Sequence, residues 1–446
     1  MNKIIATALC SVCCCITAAQ RTYSLEQLRD SALHNNVAVR SARYSIDAAR
    51  HQRREALTKY FPTVSATGLW FNANKGMAQT TVTPSQVVPE ALGATLSAIL
   101  PAEALASLAS PVSISMLKNG TVAGITAVQP VFAGGQIVNG NRLAKVGEDV
   151  SRLQLQLSEN EVERNTEQYY WQVVSLEEKL KTVAAVDTLL ADIRKDVEVA
   201  VRAGLTMRND LLQIQLRQNE VESQRLKLQN GISVVRMMLA QYCGLHTIDF
   251  TLTQGTEAPS PATLRQDHDG ALLATAEYQL LGKQVEAARL QRRMTVGQQL
   301  PTVAVGAGYN YHNLLDHNHT FGMLFATVSV PISDWWGGSH AIQRSKIAYR
   351  QAVDEQRDKA ELLRIRMQSS WNSVEESYQQ LAIAERSIEQ AKENLRIHRD
   401  YYRAGTSRMS DLLEAQLLYQ QALDRRTDAF IDYQTNILKY RQATGQ

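Results

Sequence analysis

Nine histidines are spread along this 446-residue chain, and only His312, His317 and His319, in HNLLDHNH, stand close together. That spacing supports adventitious metal binding in a surface loop and nothing stronger, because no zinc-type Cys/His set accompanies it. Four of the five cysteines (Cys10, Cys13, Cys14, Cys15) lie within the first twenty residues, and Cys243 alone remains beyond them. No nucleophile elbow, phosphate loop or Cys pair occurs, so neither catalysis nor a cofactor is expected. The carboxylates with an informative spacing are Asp411 and Glu414 in GTSRMSDLLEA, echoed by Asp210 and Gln213 in GLTMRNDLLQI. An acceptor followed three residues later by Glu or Gln is the pattern of a capping box, which predicts Asp411 and Asp210 as N-caps of long helices.

These residues sit in a duplicated frame. AARHQRREALTKYFP (48–62) and AARLQRRMTVGQQLP (287–301) agree at seven positions in one register. Pro130 in TAVQPVFAGGQ corresponds to Pro331 in VSVPISDWWGGS, and RAGLTMRNDLLQIQL from Arg202 to RAGTSRMSDLLEAQL from Arg403. Each half therefore predicts helix, strand, strand, long helix, tight turn, long helix, as a tandem repeat of roughly 200 residues. The first repeat is assigned to 20–259, with a hairpin at 62–130, a helix pair at 140–243 and a segment at 244–259 holding a short strand near Ile248–Leu252. The second covers 260–446, with a hairpin at 301–331 and a helix pair at 340–443.

Alternation places the strands: TVSATGLWFNAN, NGTVAGITAVQP, TVAVGAGYNYHN and HTFGMLFATVSVP. Pro62, Pro130, Pro301 and Pro331 are expected at the four barrel-helix seams, because proline fixes φ and donates no hydrogen bond. The proline-free stretches between them predict helices, the first about 90 Å long at 1.5 Å per residue. Leu412, Ala415, Tyr419, Ala422, Leu211 and Ile214 mark narrow buried seams, and Gln213, Gln215, Gln218, Gln416 and Gln420 are expected on wet faces. Gly204 and Gly405 each stand between a pair of long helices, where a left-handed residue is needed.

The opening MNKIIATALCSVCCCITAAQ predicts a signal peptide over 1–19, hence an exported protein. Beyond it no run of 18 apolar residues offers a membrane helix. A formal charge of +3 gives no basic field for nucleic acid. Small residues (Ser65, Gly68, Gly124, Gly306, Gly308) set against Trp70, Tyr309, Tyr311, Phe321 and Phe325 predict a lipid-facing β-barrel wall with a small, polar interior. Four strands leave two open edges, which hydrocarbon does not tolerate, so several chains must pool their strands, giving eight from two chains or twelve from three. The alternative is a periplasmic trimeric coiled-coil scaffold without a channel.

The duplicated unit, QPVFAGGQ, VPISDWWGG, CGLHTIDFTL and the RAG turns followed by NDLLQIQ and SDLLEAQ together resemble the TolC-type outer-membrane efflux protein family. The resemblance implies a mainly α fold with a β-barrel portion, four strands per chain pooled by a homotrimer into a twelve-stranded barrel in outer-membrane lipid. An α-helical tunnel would continue it into the periplasm. The tips, Arg202, Gly204, Arg403, Gly405 and Thr406, would meet a periplasmic adaptor (membrane fusion protein) and, through it, an inner-membrane RND or ABC pump. Small toxic compounds, metals or proteins would leave by this duct. Asp411, Glu414, Asp210, Arg408 and Tyr402 would form the periplasmic constriction. Two departures stand out. The family's closing Arg, two residues after the second turn's Gly, is Ser407 here, with Arg408 next. Pro130 lies 68 positions after Pro62 but Pro331 only 30 after Pro301, so the first hairpin holds 38 more residues, including the Ala/Leu-rich stretch Pro89–Pro111.

Overall fold

A computed structural model of the chain describes residues 21–82, 112–253, 258–314, 317–332 and 334–445. The signal peptide expected over 1–19 and the insertion Pro89–Pro111 lie outside the described residues. In chain order the elements are β1 (Arg21–Tyr23), α1 (Leu25–Asn35), α2 (Val37–Thr58), β2 (Thr63–Asn72), β3 (Ala78–Val82), β4 (Val112–Met116) and β5 (Asn119–Ala133). Then follow α3 (Gln136–Arg202), α4 (Arg208–Cys243), β6 (Phe250–Leu252), α5 (His268–Ala274), α6 (Ala276–Gly297), β7 (Thr302–Leu314), β8 (His317–Ser329), α7 (Asp334–Arg403) and α8 (Met409–Ala443). The chain is mainly helical with a small strand content. It divides into two compact units, one of Met1–Arg50, Val146–Glu286 and Arg350–Gln446, the other of His51–Lys145 and Ala287–Tyr349.

In the first unit, four long helices bury a narrow core. Leu28, Val173, Leu239, Phe250, Val374 and Tyr433 are fully enclosed, and Trp171, Trp371 and Tyr440 pack around them. Ser24 starts α1 through a complete capping box: its hydroxyl accepts from Gln27 N–H at 3.2 Å, and its own N–H donates to Gln27 Oε1 at 3.0 Å. β6 pairs in parallel with β1, Arg21 opposite Phe250 and Tyr23 opposite Leu252. A three-residue strand is too short for alternation to reveal, so β1 has no signal in the sequence.

The second unit holds a four-stranded sheet in the order β2-β5-β7-β8, antiparallel throughout, while β3 and β4 form a separate two-stranded ribbon. Register decides which side chains share a face. Tyr309 lies opposite Ile125 and Gly322, and Ala66 opposite Ile125, so Val64, Ala66, Trp70, Ile125, Val305, Ala307, Tyr309, Leu324 and Val328 share one side. No paired position on that face carries a charge. Phe321 and Phe325 lie opposite Asn310 and Gly306, on the other side, with Ser65, Thr67, Gly124 and Thr126. The sequence grouping of Phe321 and Phe325 with Trp70 is thereby corrected. Pairing Thr302 with Ser329 matches even positions of β7 to odd positions of β8, so parity flips across the hairpin. Gly68 likewise joins the side of Trp70, two residues away.

The seams also differ in one place. Pro62 and Pro301 immediately precede β2 and β7, and Pro331 stands between β8 and α7. Pro130 instead lies inside β5, which continues to Ala133 after a register shift between Pro130 and Phe132. A bulge accommodates the missing donor there. The turn into α3 falls at Gly134 and Gly135, with φ of 59° and 74°. A Cβ on Gly134 would collide with the backbone of Gly297, so the duplicated phrase ends against this turn. Asn141 secures the same corner by donating from Nδ2 to the Ala56 carbonyl at 2.9 Å.

Gly306 lies beneath the ring of Phe325, whereas a Cβ on Gly68 meets nothing within 4 Å. Gly306→Val is expected to destabilise the folded protein by about 1–3 kcal/mol through overpacking, with Gly68→Val within about 0.5 kcal/mol of wild type. Thermal unfolding of the two variants in detergent checks this, and equal losses would show that the Phe325 contact is not the cause.

Candidate functional site

The two RAG turns are built alike. In the first, Gly204 takes φ 78°, its N–H reaches the Val201 carbonyl at 3.0 Å, and Leu205 N–H reaches Ala200 at 2.9 Å. In the second, Gly405 takes φ 73°, its N–H reaches Tyr402 at 3.0 Å, and Thr406 N–H reaches Tyr401 at 3.0 Å. Both are Schellman endings, in which a left-handed residue turns the last N–H groups back onto the helix carbonyls. Neither glycine has a neighbour within 4 Å of an added Cβ, so the need for glycine is conformational.

This geometry moves the caps. The N-cap of α8 is Arg408, and that of α4 is Met207, three residues after each glycine. Asp411 and Asp210 therefore occupy N3, which corrects their sequence assignment as N-caps. Asp411 Oδ2 accepts from Arg408 N–H at 3.2 Å and from the Ser407 hydroxyl at 3.2 Å, and Oδ1 accepts from Ser410 at 3.1 Å. Only this N3 half of the box exists, since an Arg side chain has no acceptor to return. The Arg408 amide, helped by both serines, holds the Asp411 carboxyl below the usual carboxylate range. Glu414 is exposed one turn further on and takes no part in the cap.

Asp210 does something its spacing does not reveal. Its Oδ2 accepts from Thr206 Oγ1 at 2.5 Å and from the Tyr402 hydroxyl at 3.2 Å, and so ties the first repeat's turn to the end of α7. Burial raises the Tyr402 phenol above its ordinary range, which keeps the donor proton in place. Beside it, Arg403 donates to Asp196 at 2.9 Å, an exposed pair that adds little stability. Arg202 Nε donates within its own helix, to the Glu198 carbonyl at 3.2 Å. Arg408 makes no salt bridge among the described residues. Beneath the tie, Val197, Ile214, Leu395, Met409 and Leu412 form one apolar cluster from all four long helices.

Above that cluster lies a buried polar layer. Arg217 Nε donates to Gln416 Oε1 and its Nη2 to Gln420 Oε1, both at 3.1 Å, and Gln420 Nε2 continues to Gln224 at 3.1 Å. Gln416 is completely enclosed, so its expected place on a wet face is corrected, as is that of the buried Gln420. The signal is present in the sequence: 416 and 420 continue the seam of Leu412 and Ala415 at helical spacing. Thr206 and Asp196 carry no such signal. The structure thus brings Asp210 to Tyr402 and Asp411 to Arg408. It leaves Arg202 and Gly204 in one turn and Arg403, Gly405 and Thr406 in the other, at equivalent positions.

Residues 279–446 match the family model described as outer membrane efflux protein. The fold is shared with solved structures over almost the whole chain. VceC, the outer membrane protein of Vibrio cholerae, is 15% identical, with a TM-score of 0.74 over 94% of this chain and 96% of its own. CusC, whose structures report transmembrane channel formation, is 14% identical, with a TM-score of 0.77 over 96% and 93%. The CmeC outer membrane channel of Campylobacter jejuni is 14% identical, with a TM-score of 0.72 over 94% and 85%. No curated protein sequence matches the chain. Within its second repeat the chain matches the outer membrane efflux protein model, and over both repeats it has the fold of these outer membrane channels.

Removing the phenol tests the inter-repeat tie. Tyr402→Phe is expected to weaken it by about 1 kcal/mol, and Gly204→Val to strain the same turn by about 1–2 kcal/mol. Amide exchange over residues 203–211 should accelerate in both variants while the buried core around Tyr433 stays protected; unchanged exchange at the turn would contradict the tie.

Proposed function

We propose that three copies of this chain pool their sheets into a twelve-stranded barrel and form the exit duct of a tripartite efflux or type I secretion system. The observation that carries this reading is the four-stranded sheet with one uncharged apolar face and two edge strands, β2 and β8, that have no outer partner among the described residues. In hydrocarbon such edges must be paired, and an apolar face must meet lipid. A scaffold without a channel has no use for Val64, Ile125, Tyr309 and Leu324 displayed together.

The periplasmic end follows from the turns. Arg202, Gly204, Arg403, Gly405 and Thr406 lie at or beside the two RAG turns and are the proposed contacts for a periplasmic adaptor, itself joined to an inner-membrane RND or ABC pump. Asp411 and Glu414, repeated by three-fold symmetry, would place six carboxylates around one constriction, with Asp210, Tyr402 and Arg408 beside them. The tie from Tyr402 to Asp210 holds one chain's two turns together and so opposes widening. Opening then means breaking a hydrogen bond and a weak ion pair rather than a packed core. Passage needs no catalysis, and the cargo class is a small toxic compound, a metal ion or a protein.

Two measurements test the reading. A cysteine at Thr81 should react with an impermeant thiol reagent on whole cells, while one at Ser407 should react only after the periplasm is opened; equal labelling contradicts the orientation. In planar bilayers the channel should be cation-selective and blocked by multivalent cations from the periplasmic side. Because the Asp411 carboxyl is held low, its charge survives mild acid, so block should persist there and be relieved only below the ordinary aspartate range. Asp411→Asn with Glu414→Gln keeps acceptor oxygens and should weaken block about tenfold; wild-type block in that variant would contradict the acidic ring.

A further inference from the structure

His312 and His319, which the sequence assigns to a loop, instead face each other across the β7–β8 ladder as a paired position. Their ring centroids are 5.2 Å apart, with planes inclined by 50°. Both lie on the face opposite Tyr309 and Leu324, the side carrying Ser65 and Thr126. His312 Nδ1 is screened from solvent and has no hydrogen-bond partner among the described residues. A polar nitrogen left in that state is unfavourable, and a ligand shared with His319 would satisfy it.

We propose that His312 and His319 form a two-imidazole site for a divalent transition-metal ion such as Cu²⁺, Ni²⁺ or Zn²⁺. Imidazole suits these ions, and metal–nitrogen bonds of about 2.0–2.1 Å at tetrahedral angles put two coordinated ring centroids about 5 Å apart. The observed separation falls on that value. Among the described residues no three His, Cys, Asp or Glu side chains are placed to hold one ion, so His317, on the same face two residues from His319, does not complete the set. Water fills the remaining positions, and the ion stays exchangeable, as suits a capture point rather than a structural centre. The rival account is aromatic packing alone, since Phe321 lies 6.1 Å from His312 and 6.0 Å from His319.

Phenylalanine separates the two accounts, because it keeps the ring and loses the nitrogens. Full-length protein in detergent is titrated with Cu²⁺ alone and examined by electron paramagnetic resonance. Wild type should show one site with two nitrogen ligands. His312→Phe and His319→Phe should each leave a one-nitrogen spectrum and bind at least about tenfold more weakly, while His317→Phe stays within about twofold of wild type. A spectrum unchanged in the His312→Phe, His319→Phe double variant, or an equal loss in His317→Phe, would overturn the site. Thermal unfolding without metal provides the folding control, and the conservative pair His312→Gln and His319→Gln must give the same loss of nitrogen coupling.

Discussion

The outer edges of β2 and β8 carry backbone donors and acceptors that no other strand among the described residues pairs. In water those groups would be solvated; in hydrocarbon each costs several kcal/mol unless another strand covers it. The uncharged face across Val64, Ile125, Tyr309 and Leu324 makes the aqueous solution unattractive. The proposed edge pairing between chains would answer both demands. Duplication then becomes intelligible, because each repeat supplies one hairpin to the sheet and one long helix pair to the other unit. Glycines 134 and 297 meet backbone to backbone where strand turns into helix, so the repeated phrase marks a structural corner.

At the RAG turns the design rests on weak, local interactions. Two Schellman turns with left-handed glycines fix where α4 and α8 begin, and that start places Asp210 and Asp411 at N3. From there Asp210 is free to accept the hydrogen bond of the Tyr402 hydroxyl, while Asp411 is consumed by its own turn. Equivalent residues thus do different work in the two repeats. The apolar cluster of Val197, Ile214 and Leu412 and the Arg217–Gln416–Gln420 layer behind it hold the helices in register. A buried charged layer of this kind is weaker than an apolar one but restricts sliding of one helix along another.

Much of this is legible in the residues themselves. The strands, the long helices and the glycine turns follow from alternation, absence of proline and the position of a left-handed residue, all of which are local. What escapes is set by register and tertiary contact. The side occupied by Phe321 and Phe325 depends on how β7 pairs with β8, and β1 exists only because β6 lies beside it. Pro130 reads as a boundary because proline breaks ladders, yet a bulge carries the strand past it. The capping box reads three residues late, because the true N-caps, Arg408 and Met207, have side chains that carry no capping signal. The tie between Asp210 and Tyr402, 192 residues apart, has no signature in either segment alone.

The central claim is that the open sheet is completed by other copies of the same chain. Native mass spectrometry of the detergent-solubilised protein, released gently from its micelle, counts those copies directly. The account predicts one dominant species of three chains that resists dissociation until the sheet unfolds. A folded single chain, or a pair, with the sheet edges intact would contradict it.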